Sequence, residues 1–379
     1  MTRIIEFLIA LGIVAGLFVL IGVCLPGERR VTESIETNRK MTIVYDTVNS
    51  LQRFKDWNPL LLRDPAVELK LSGPDAGKGA RLDYASKDDV LGQGSWEITD
   101  SEENKRVSIA IEDQTRGHDK VTTFDLQPTG KNDRNVKITQ DYTVKYGFDL
   151  FGRYSGLYVS RHIGDDLKLG LSRLANMLAS VPNVDYRSPE TPLTDLKIVD
   201  VAAEDLLIIN AGNIDRNADV IRKSIDDNQE WIKRAMDANG LEAAGPVRII
   251  TTDFGAEKYA FDVAQPVRKK SAASADKGKQ DDAKEAKAED APVAAADGEL
   301  KVKIPDGNPA TYQHVAAHRS AFASYVGHMA GLDLARNALR AWATTHGSEV
   351  TERPYESWKG GVDKAFTTDG TYDVYWAIK

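Results

Sequence analysis

The sequence predicts an α+β protein with an N-terminal membrane helix, a helix-grip antiparallel-sheet domain and a pseudo-twofold (βαββ)2 domain. Three observations predict this order. The chain opens with an uncharged run at residues 7–25. Alternating apolar segments and one long amphipathic helix follow, which is typical of a sheet packed against a helix. The last half of the chain then repeats one strand–helix–strand–strand pattern.

The apolar run predicts a transmembrane anchor at residues 4–25. At 1.5 Å per residue, its 19 uncharged positions extend roughly 29 Å, which matches the hydrocarbon thickness of a bilayer. A cleaved signal peptide is the first alternative, but residues 26–29 (PGER) offer no small-residue cleavage site. A lipoprotein signal at Cys24 is the second, and Val23 before it is larger than such a site prefers. We therefore expect a single-pass protein of the bacterial inner membrane.

The charges that flank the apolar run leave the facing of the soluble part open. Arg29 and Arg30 follow the run, and they favour a cytoplasmic body because positive charge stays inside. The tail before the run is only six residues long, however, and short tails also remain inside.

Composition excludes several classes of function. The net charge is −8 and no basic block stands out, so nucleic acid is not an expected partner. The single cysteine, Cys24, lies in the apolar run, which leaves the soluble part without disulfides, thiolate nucleophiles or cysteine metal sites. His314 and His318 are four apart, but their strand-like context favours two ordinary strand-end histidines over a metal site. We predict no metal, no cofactor and no catalytic residue.

Residues 31–183 form the first predicted soluble domain. Six alternating segments are separated by Gly-, Pro- and Asn-containing turns, and a helix predicted at residues 157–180 carries one leucine-rich stripe. The side chains that should face this helix are apolar or aromatic apart from Gln140. They form either a packed core or a cavity for an apolar ligand, with Trp96 in its wall and Gln140 or Tyr142 orienting the guest.

A family resemblance supports the cavity. The order of a strand, a helix, Trp57-Asn58-Pro59, a glycine segment leading to Trp96 and Ile98, and a long C-terminal helix resembles the START-like, polyketide-cyclase-type (SRPBCC) superfamily. Leu60-Leu61 depart from its pattern, since a second tryptophan often follows the proline. The resemblance implies a helix-grip cavity for a hydrophobic molecule and no particular activity.

Residues 194–379 form the second predicted domain, and its two copies of the repeat place helices at residues 219–239 and 324–346. Residues 269–299 lie between the copies. They are rich in alanine and mixed charge and have no aromatic residue, so they cannot bury enough apolar surface to fold. We predict a disordered insertion there.

This domain resembles the gyrase-inhibitor-like, AraC-type effector-binding family. The resemblance is carried by residues 259–262 (YAFD), Pro266 and residues 353–358 (RPYESW). It implies a groove for cationic or aromatic ligands with its glutamate at Glu356, where flanking rings can stack on a bound cation. The alternative is a strand-edge glutamate bonded to a neighbouring amide or arginine. The aromatic candidates are Tyr355, Trp358, Tyr259, Tyr312 and Trp376.

Together these patterns favour a membrane-anchored protein that binds a hydrophobic or cationic aromatic small molecule and senses, sequesters or delivers it. One alternative is a hydrolase or cyclase-type enzyme that uses Glu356 as a general base. The other is a non-catalytic membrane scaffold whose interiors are filled by its own side chains.

Overall fold

A computed structural model describes residues 2–88, 91–191, 193–270 and 299–379. The chain divides into two compact units. The first contains residues 1–185 with 345–347, and the second contains residues 186–344 with 348–379. Each unit holds one antiparallel sheet with helices on it, which confirms the predicted α+β class.

The first helix, α1, covers Thr2–Cys24. Its segment Arg3–Cys24 is long and apolar enough to cross a membrane, with a mean hydropathy of 2.9 and only 6% of the most apolar window buried. A signal sequence satisfies the same criteria of length and composition, so these two properties establish an N-terminal apolar helix and no more.

The first unit contains a seven-stranded sheet in the order β1-β7-β6-β5-β4-β3-β2, and every neighbouring pair is antiparallel. Six of its strands therefore form a meander, and β1 closes the far edge against β7. The strands are β1 Glu28–Thr37, β2 Glu68–Ser72, β3 Arg81–Ala85, β4 Gln93–Glu102, β5 Arg106–Glu112, β6 His118–Thr129 and β7 Asn135–Lys145.

Helices connect and cover this sheet. They are α2 Met41–Val48, α3 Phe54–Trp57, α4 Leu60–Arg63, α5 Leu150–Ser155 and α6 Val159–Ala179, with a 3-10 turn at Gly156–Tyr158. The long helix α6 confirms the prediction at residues 157–180. Its leucine stripe is buried, since Leu167 is 8% exposed and Leu171, Leu174 and Leu178 at most 1%. These leucines recur every three or four residues and so share one helix face.

The second unit contains a nine-stranded sheet. Eight strands follow the order β13-β9-β12-β11-β15-β16-β14-β8, and β10 pairs with β12 beside them. The strands are β8 Leu193–Val201, β9 Glu204–Asp215, β10 Leu241–Ala243, β11 Arg248–Phe254, β12 Lys258–Lys269, β13 Thr311–Val315, β14 His318–Val326, β15 Tyr355–Trp358 and β16 Thr371–Ala377. Reading outward from the β11–β15 pair gives matching strands on both sides, so a pseudo-twofold axis passes between them.

Each repeat has four main strands rather than the three that its pattern predicts. The first predicted strand of each copy is two strands, β8 with β9 and β13 with β14. The first strand of each pair lies at the edge beside the other copy, since β8 pairs with β14 and β13 with β9. Short connections at residues 202–203 and 316–317 hide these breaks in the hydrophobic pattern.

Three helices complete the second unit, namely α7 Ala218–Asn239, α8 Leu332–Thr345 and α9 Gly361–Ala365. Asn217 caps the start of helix α7, where its side chain accepts hydrogen bonds from two backbone amides. Gly240 caps its end with φ +61°, a conformation that favours glycine. The predicted start of the second long helix at residue 324 is wrong, because β14 continues to Val326 in register with β16. Of the insertion predicted at residues 269–299, residues 271–298 lie outside the described residues, and Lys269 is the last residue of β12.

Candidate functional site

A cavity lies between the sheet, helix α6 and the loop after α3 in the first unit. Its volume is about 160 Å³, comparable with an engineered cavity of roughly 150 Å³ that holds benzene. Most of its wall is apolar, and polar side chains from several elements interrupt it. The lining residues are Trp57, Asn58, Pro59, Leu60, Arg63, Tyr84, Leu91, Trp96, Ile111, Asp113, Thr115, Thr122, Gln140, Tyr142, Ile163, Asp166, Leu167 and Gly170. The structure thus brings together the predicted Trp96, Gln140 and Tyr142.

The Trp57-Asn58-Pro59 motif forms the part of the wall that faces α6. Arg173 of α6 donates to the backbone oxygens of Asp56 at 2.9 Å and Trp57 at 3.2 Å. Asn58 Oδ1 accepts from the Leu60 amide at 2.9 Å. Gly170 permits the contact, because a Cβ there would lie 3.3 Å from the Pro59 ring. The motif therefore holds its tryptophan against the cavity, with the Trp57 side chain 2% exposed.

Strand register positions Tyr84 and Trp96. Tyr84 lies directly opposite Gly94 on the neighbouring strand. A Cβ at Gly94 would lie 2.6 Å from the Tyr84 hydroxyl oxygen, so only glycine leaves room for the ring. Trp96 packs edge-on against Phe54, with ring centroids 4.7 Å apart. Gly94, in the glycine segment before Trp96, therefore leaves the space that the Tyr84 ring occupies.

Gln140 carries the most informative polar atom of the cavity wall. The side chain is 2% exposed. Thr122 Oγ1 donates to the Asp141 backbone oxygen at 3.2 Å, so toward Gln140 it acts as an acceptor. The Gln140 amide nitrogen therefore donates to Thr122 at 3.0 Å, and the amide orientation is fixed. Gln140 Oε1 is buried and has no partner among the described residues.

Further polar side chains lie around the cavity. The Trp57 indole nitrogen is buried without a partner among the described residues. Burial, and then the nearby Asp113 carboxylate, raises the pKa of Tyr84 to about 12. Burial also raises the pKa of Tyr142. Both tyrosines therefore keep their hydroxyl protons at neutral pH and can donate to a guest.

Charged residues at the exposed side of the cavity are paired within the chain. Asp113 and the backbone and hydroxyl oxygens of Thr115 all accept from Lys120, which is 4% exposed. Asp166 pairs with Arg63. Burial raises the pKa of the Asp166 carboxyl, and the Arg63 charge opposes that shift. The charged side chains that line the cavity are thus paired with opposite charges, and its other lining side chains are neutral.

In the second unit, Glu356 is completely buried. Its two carboxylate oxygens accept from the Arg336 guanidinium of α8 at 2.6 and 3.1 Å, and Arg336 is 3% exposed. The Tyr259 hydroxyl lies 3.4 Å from the same guanidinium and 2.9 Å from Thr251 Oγ1. The partner of Glu356 is therefore an arginine of the chain itself.

The other predicted residues of this unit do not share one site. Trp358 and Tyr259 lie in the core between sheet and helices, at 1% and 0% exposed. Tyr355 points to the opposite sheet face, where it stacks on Tyr375 at 4.9 Å and lines a cavity of about 270 Å³.

Tyr312 and Trp376 are bonded elsewhere in the sheet. The Tyr312 hydroxyl donates to Asp205 at 2.6 Å, and His314 bonds the same carboxylate. The Trp376 indole donates to the Glu352 backbone oxygen at 3.3 Å.

Sequence reasoning missed Arg336 and Thr122, which decide how the two buried polar side chains are satisfied. Arg336 had a usable signal, because it directly follows Ala335 on the buried face of α8 and a buried arginine requires an anion. Thr122 had none, since one threonine among alternating strand residues resembles any other. Among the described residues, no group of three His, Cys, Asp or Glu side chains is arranged to hold a metal ion.

The protein family described as "Polyketide cyclase / dehydrase and lipid transport" matches residues 28–179. These residues are therefore similar to that family, in agreement with the first resemblance. No curated protein sequence matches the chain.

Similar solved structures include norcoclaurine synthase from Thalictrum flavum, which is 14% identical over 40% of this chain and 94% of that one, with a TM-score of 0.33. The C-terminal domain of EcmrR is 14% identical over 49% of this chain and 97% of that one, with a TM-score of 0.35. At these TM-scores neither likeness bears on function, and the effector-binding resemblance of the second unit stays a prediction.

Proposed function

We propose that the first unit binds a small, mainly apolar molecule that carries a hydrogen-bond donor, and that α1 holds this unit at a membrane. The observation that carries the proposal is the acceptor Gln140 Oε1, which is buried without a partner among the described residues and belongs to a side chain that lines an apolar cavity. A buried acceptor without a hydrogen bond costs about 1–3 kcal/mol. A guest that donates to this atom recovers that free energy while its apolar body fills the cavity.

The chemistry of the wall supports binding rather than catalysis. The charged side chains Asp113 and Asp166 are held by Lys120 and Arg63, so neither has the free position that a general base needs. Trp57 and Trp96 offer ring faces and edges to an aromatic guest. Sensing, sequestering or delivering such a molecule fits this arrangement.

The contacts of α1 support a retained anchor over a cleaved signal. Arg153 donates to the backbone oxygens of Gly22 and Val23 in the last turn of α1 and of Leu25 just after it, where carbonyls have no helical partner. Cleavage after α1 would remove most of this arrangement. Intact-mass measurement of the membrane-extracted protein tests the point, and loss of about the first 24–26 residues (from the length of α1) would contradict it.

Two matched probes test the binding proposal, namely 2-naphthol and its methyl ether, which lacks the donor. The full-length protein in lipid nanodiscs is titrated with each by calorimetry, with empty nanodiscs as the blank. We expect the alcohol to bind about fivefold more tightly, as one net hydrogen bond provides. Gln140→Met keeps the volume, removes the acceptor and should abolish that preference.

Leu167→Trp is the control for location, because a larger side chain at this lining position fills the cavity. Both probes should lose affinity in this variant. If the alcohol keeps its preference in Gln140→Met, or both probes still bind Leu167→Trp, the guest does not lie at this site.

For the second unit, we propose that a cationic aromatic guest binds Glu356 only by displacing the Arg336 guanidinium. The ion pair supports this form of the prediction, because the carboxylate already has a full partner. Arg336→Gln removes that competitor and should tighten the binding of rhodamine 6G. An unchanged affinity would contradict a ligand role for Glu356 and for its neighbours Trp358 and Tyr259. An enzyme that uses Glu356 as a base meets the same obstacle.

A further inference from the structure

The segment after β7 exposes an unusual amount of apolar surface. Phe148 is 92% exposed, Phe151 64%, Leu157 51% and Tyr158 63%. These four side chains lie within 11 consecutive residues, on helix α5 and the turns beside it. Elsewhere in the described residues beyond α1, no window of that length contains more than two large apolar side chains that are exposed. We call residues 148–158 the aromatic segment.

The aromatic segment is joined to the apolar helix α1. The ring of Tyr154 stacks on Phe18 with centroids 4.5 Å apart, and its hydroxyl donates to the Phe18 backbone oxygen at 2.8 Å. Phe151 contacts the same phenylalanine at 5.3 Å. Gly22 permits this approach, since a Cβ there would lie 3.2 Å from both Leu150 and Tyr154. The segment therefore lies along the side of α1 and not beyond its end.

The length of α1 sets the depth of this contact. Its 23 residues extend about 35 Å at 1.5 Å per residue, roughly 5 Å more than the hydrocarbon layer of a bilayer. Phe18 lies six residues before Cys24, which is about 9 Å along the axis. Even if all the excess length lies at this end, Phe18 and the rings stacked on it lie below the hydrocarbon boundary.

We infer that the aromatic segment is a second membrane contact, which inserts Phe148, Phe151, Leu157 and Tyr158 into the interface of the bilayer that α1 crosses. Tyrosine concentrates at that depth because its ring is amphipathic, and the exposed Phe and Leu side chains add apolar surface that lipid can cover. The inference rests on the proposed anchor. With this second contact, the first unit is held at the membrane by both α1 and the aromatic segment, and not by α1 alone.

The charges of the segment indicate which lipids matter. Arg116 lies over the Phe151 ring at 5.7 Å and pairs with Asp149. Arg153 is engaged by the carbonyls of α1. Because the exposed Arg116 is already paired with Asp149, we expect apolar insertion to drive the contact, not attraction to anionic headgroups. Insertion should therefore be the same in phosphatidylcholine and in mixtures with phosphatidylglycerol.

Depth-dependent fluorescence quenching tests the inference in the full-length protein. Cys24→Ser provides a background without cysteine, and single cysteines at Phe151 or Tyr158 carry an environment-sensitive dye. The protein is reconstituted in vesicles with quenchers attached at stated depths of the acyl chain. We expect quenching by the shallow lipid groups and protection from aqueous iodide at both positions.

Two further labels make the outcomes distinguishable. Lys131→Cys lies in the turn at the opposite end of β7, about 36 Å away by strand length, and should be reached by iodide and not by the lipid quenchers. Leu11→Cys in α1 should be reached only by deep quenchers. If the dye at Leu11→Cys is in water, the anchor itself fails. If it is deep while dyes at 151 and 158 are in water, the anchor stands and the inference is overturned.

Discussion

Both units bury polar side chains among apolar residues, and two of these, Glu356 and Gln140, are satisfied in different ways. Glu356 of the second unit accepts from Nε and Nη2 of Arg336 and is completely enclosed, while Arg336 Nη1 has no partner among the described residues. Gln140 of the first unit has a partner for its amide nitrogen but none for its oxygen among the described residues, and it lines a cavity. The Glu356 carboxylate is thus satisfied within the chain, whereas the unpartnered Gln140 oxygen is where we propose that a guest adds free energy.

Removing one side of the closed pair should have the largest effect. Glu356→Ala leaves the Arg336 charge buried without an anion, which typically costs 3–5 kcal/mol. The free energy of unfolding is measured by urea titration of the detergent-solubilised protein. A loss of unfolding free energy below about 1 kcal/mol would show that Arg336 finds another partner. It would contradict the view that Glu356 is required to neutralise this buried arginine.

A double variant separates charge from packing. Replacing both partners, Arg336→Met with Glu356→Leu, removes the buried charges together and refills their volume. Such replacements are neutral or stabilising by about 1–4 kcal/mol. We expect the double variant to be at least as stable as the wild type. A double variant as unstable as Glu356→Ala would mean that the site requires charge for its fold.

Gly94→Ala should have the next largest effect, because it disturbs the wall of the cavity. The new Cβ would overlap the Tyr84 hydroxyl and the Glu112 backbone oxygen. Overpacking of this kind costs about 1–3 kcal/mol. Thermal unfolding of the first unit, followed by tryptophan fluorescence, measures the loss.

Gly164→Ala is the matched control for this glycine. A Cβ there meets Val31 at an ordinary distance of 3.6 Å, inside helix α6. Alanine is about 0.8–1.0 kcal/mol better than glycine within a helix. The control should therefore be neutral or stabilising. If Gly164→Ala lost as much stability as Gly94→Ala, overlap with Tyr84 would not explain the need for glycine at position 94.

Gln140→Met should change stability little, in contrast to Glu356→Ala. The variant gives up the bond to Thr122 and also removes the unpartnered oxygen, and these two terms are each about 1 kcal/mol and opposite in sign. We expect a change within about 1 kcal/mol in the same urea titration. A loss of the size expected for Glu356→Ala would mean that Gln140 is a structural residue and would undermine the proposed site.

The sequence predicted the helices and strands that carry Gln140 and Glu356 better than it predicted the hydrogen-bond partners of these two side chains. Periodicity located α6 and the strands that carry Trp96, Gln140 and Tyr142, because side-chain direction alternates along a strand. It also left two alternatives open for Glu356, and the structure pairs this residue with Arg336 of α8, although β15 is not the edge strand that the second alternative assumed. It did not give the Thr122 hydrogen bond or the position of Arg336 over β15, since both depend on how separate elements pack against each other.

The strand exchange in the second unit shows the same limit. Both junctions read Val-Ala-Ala, without a Gly, Pro or Asn that would mark a turn, so the sequence does not show where one strand becomes two. Only the pairing of β8 with β14 and of β13 with β9 reveals the turn. Pairing across more than a hundred residues is decided by the fold as a whole and not by local propensity.

The smallest predicted effect concerns pH and Tyr84. Burial and Asp113 raise its pKa from 10.0 to about 12. Between these two values the unfolded chain releases a proton that the folded chain retains, so the contribution of Tyr84 to stability is complete below pH 10 and is lost as pH rises through 12. Difference absorption of tyrosinate between the wild type and Tyr84→Phe isolates this one group. We expect a single ionisation near pH 12, moved toward 10 in Asp113→Asn, because the neighbouring negative charge is then absent. Ionisation near pH 10 in the wild type would mean that the Tyr84 hydroxyl is hydrated, and the cavity wall would then be open to water at that point.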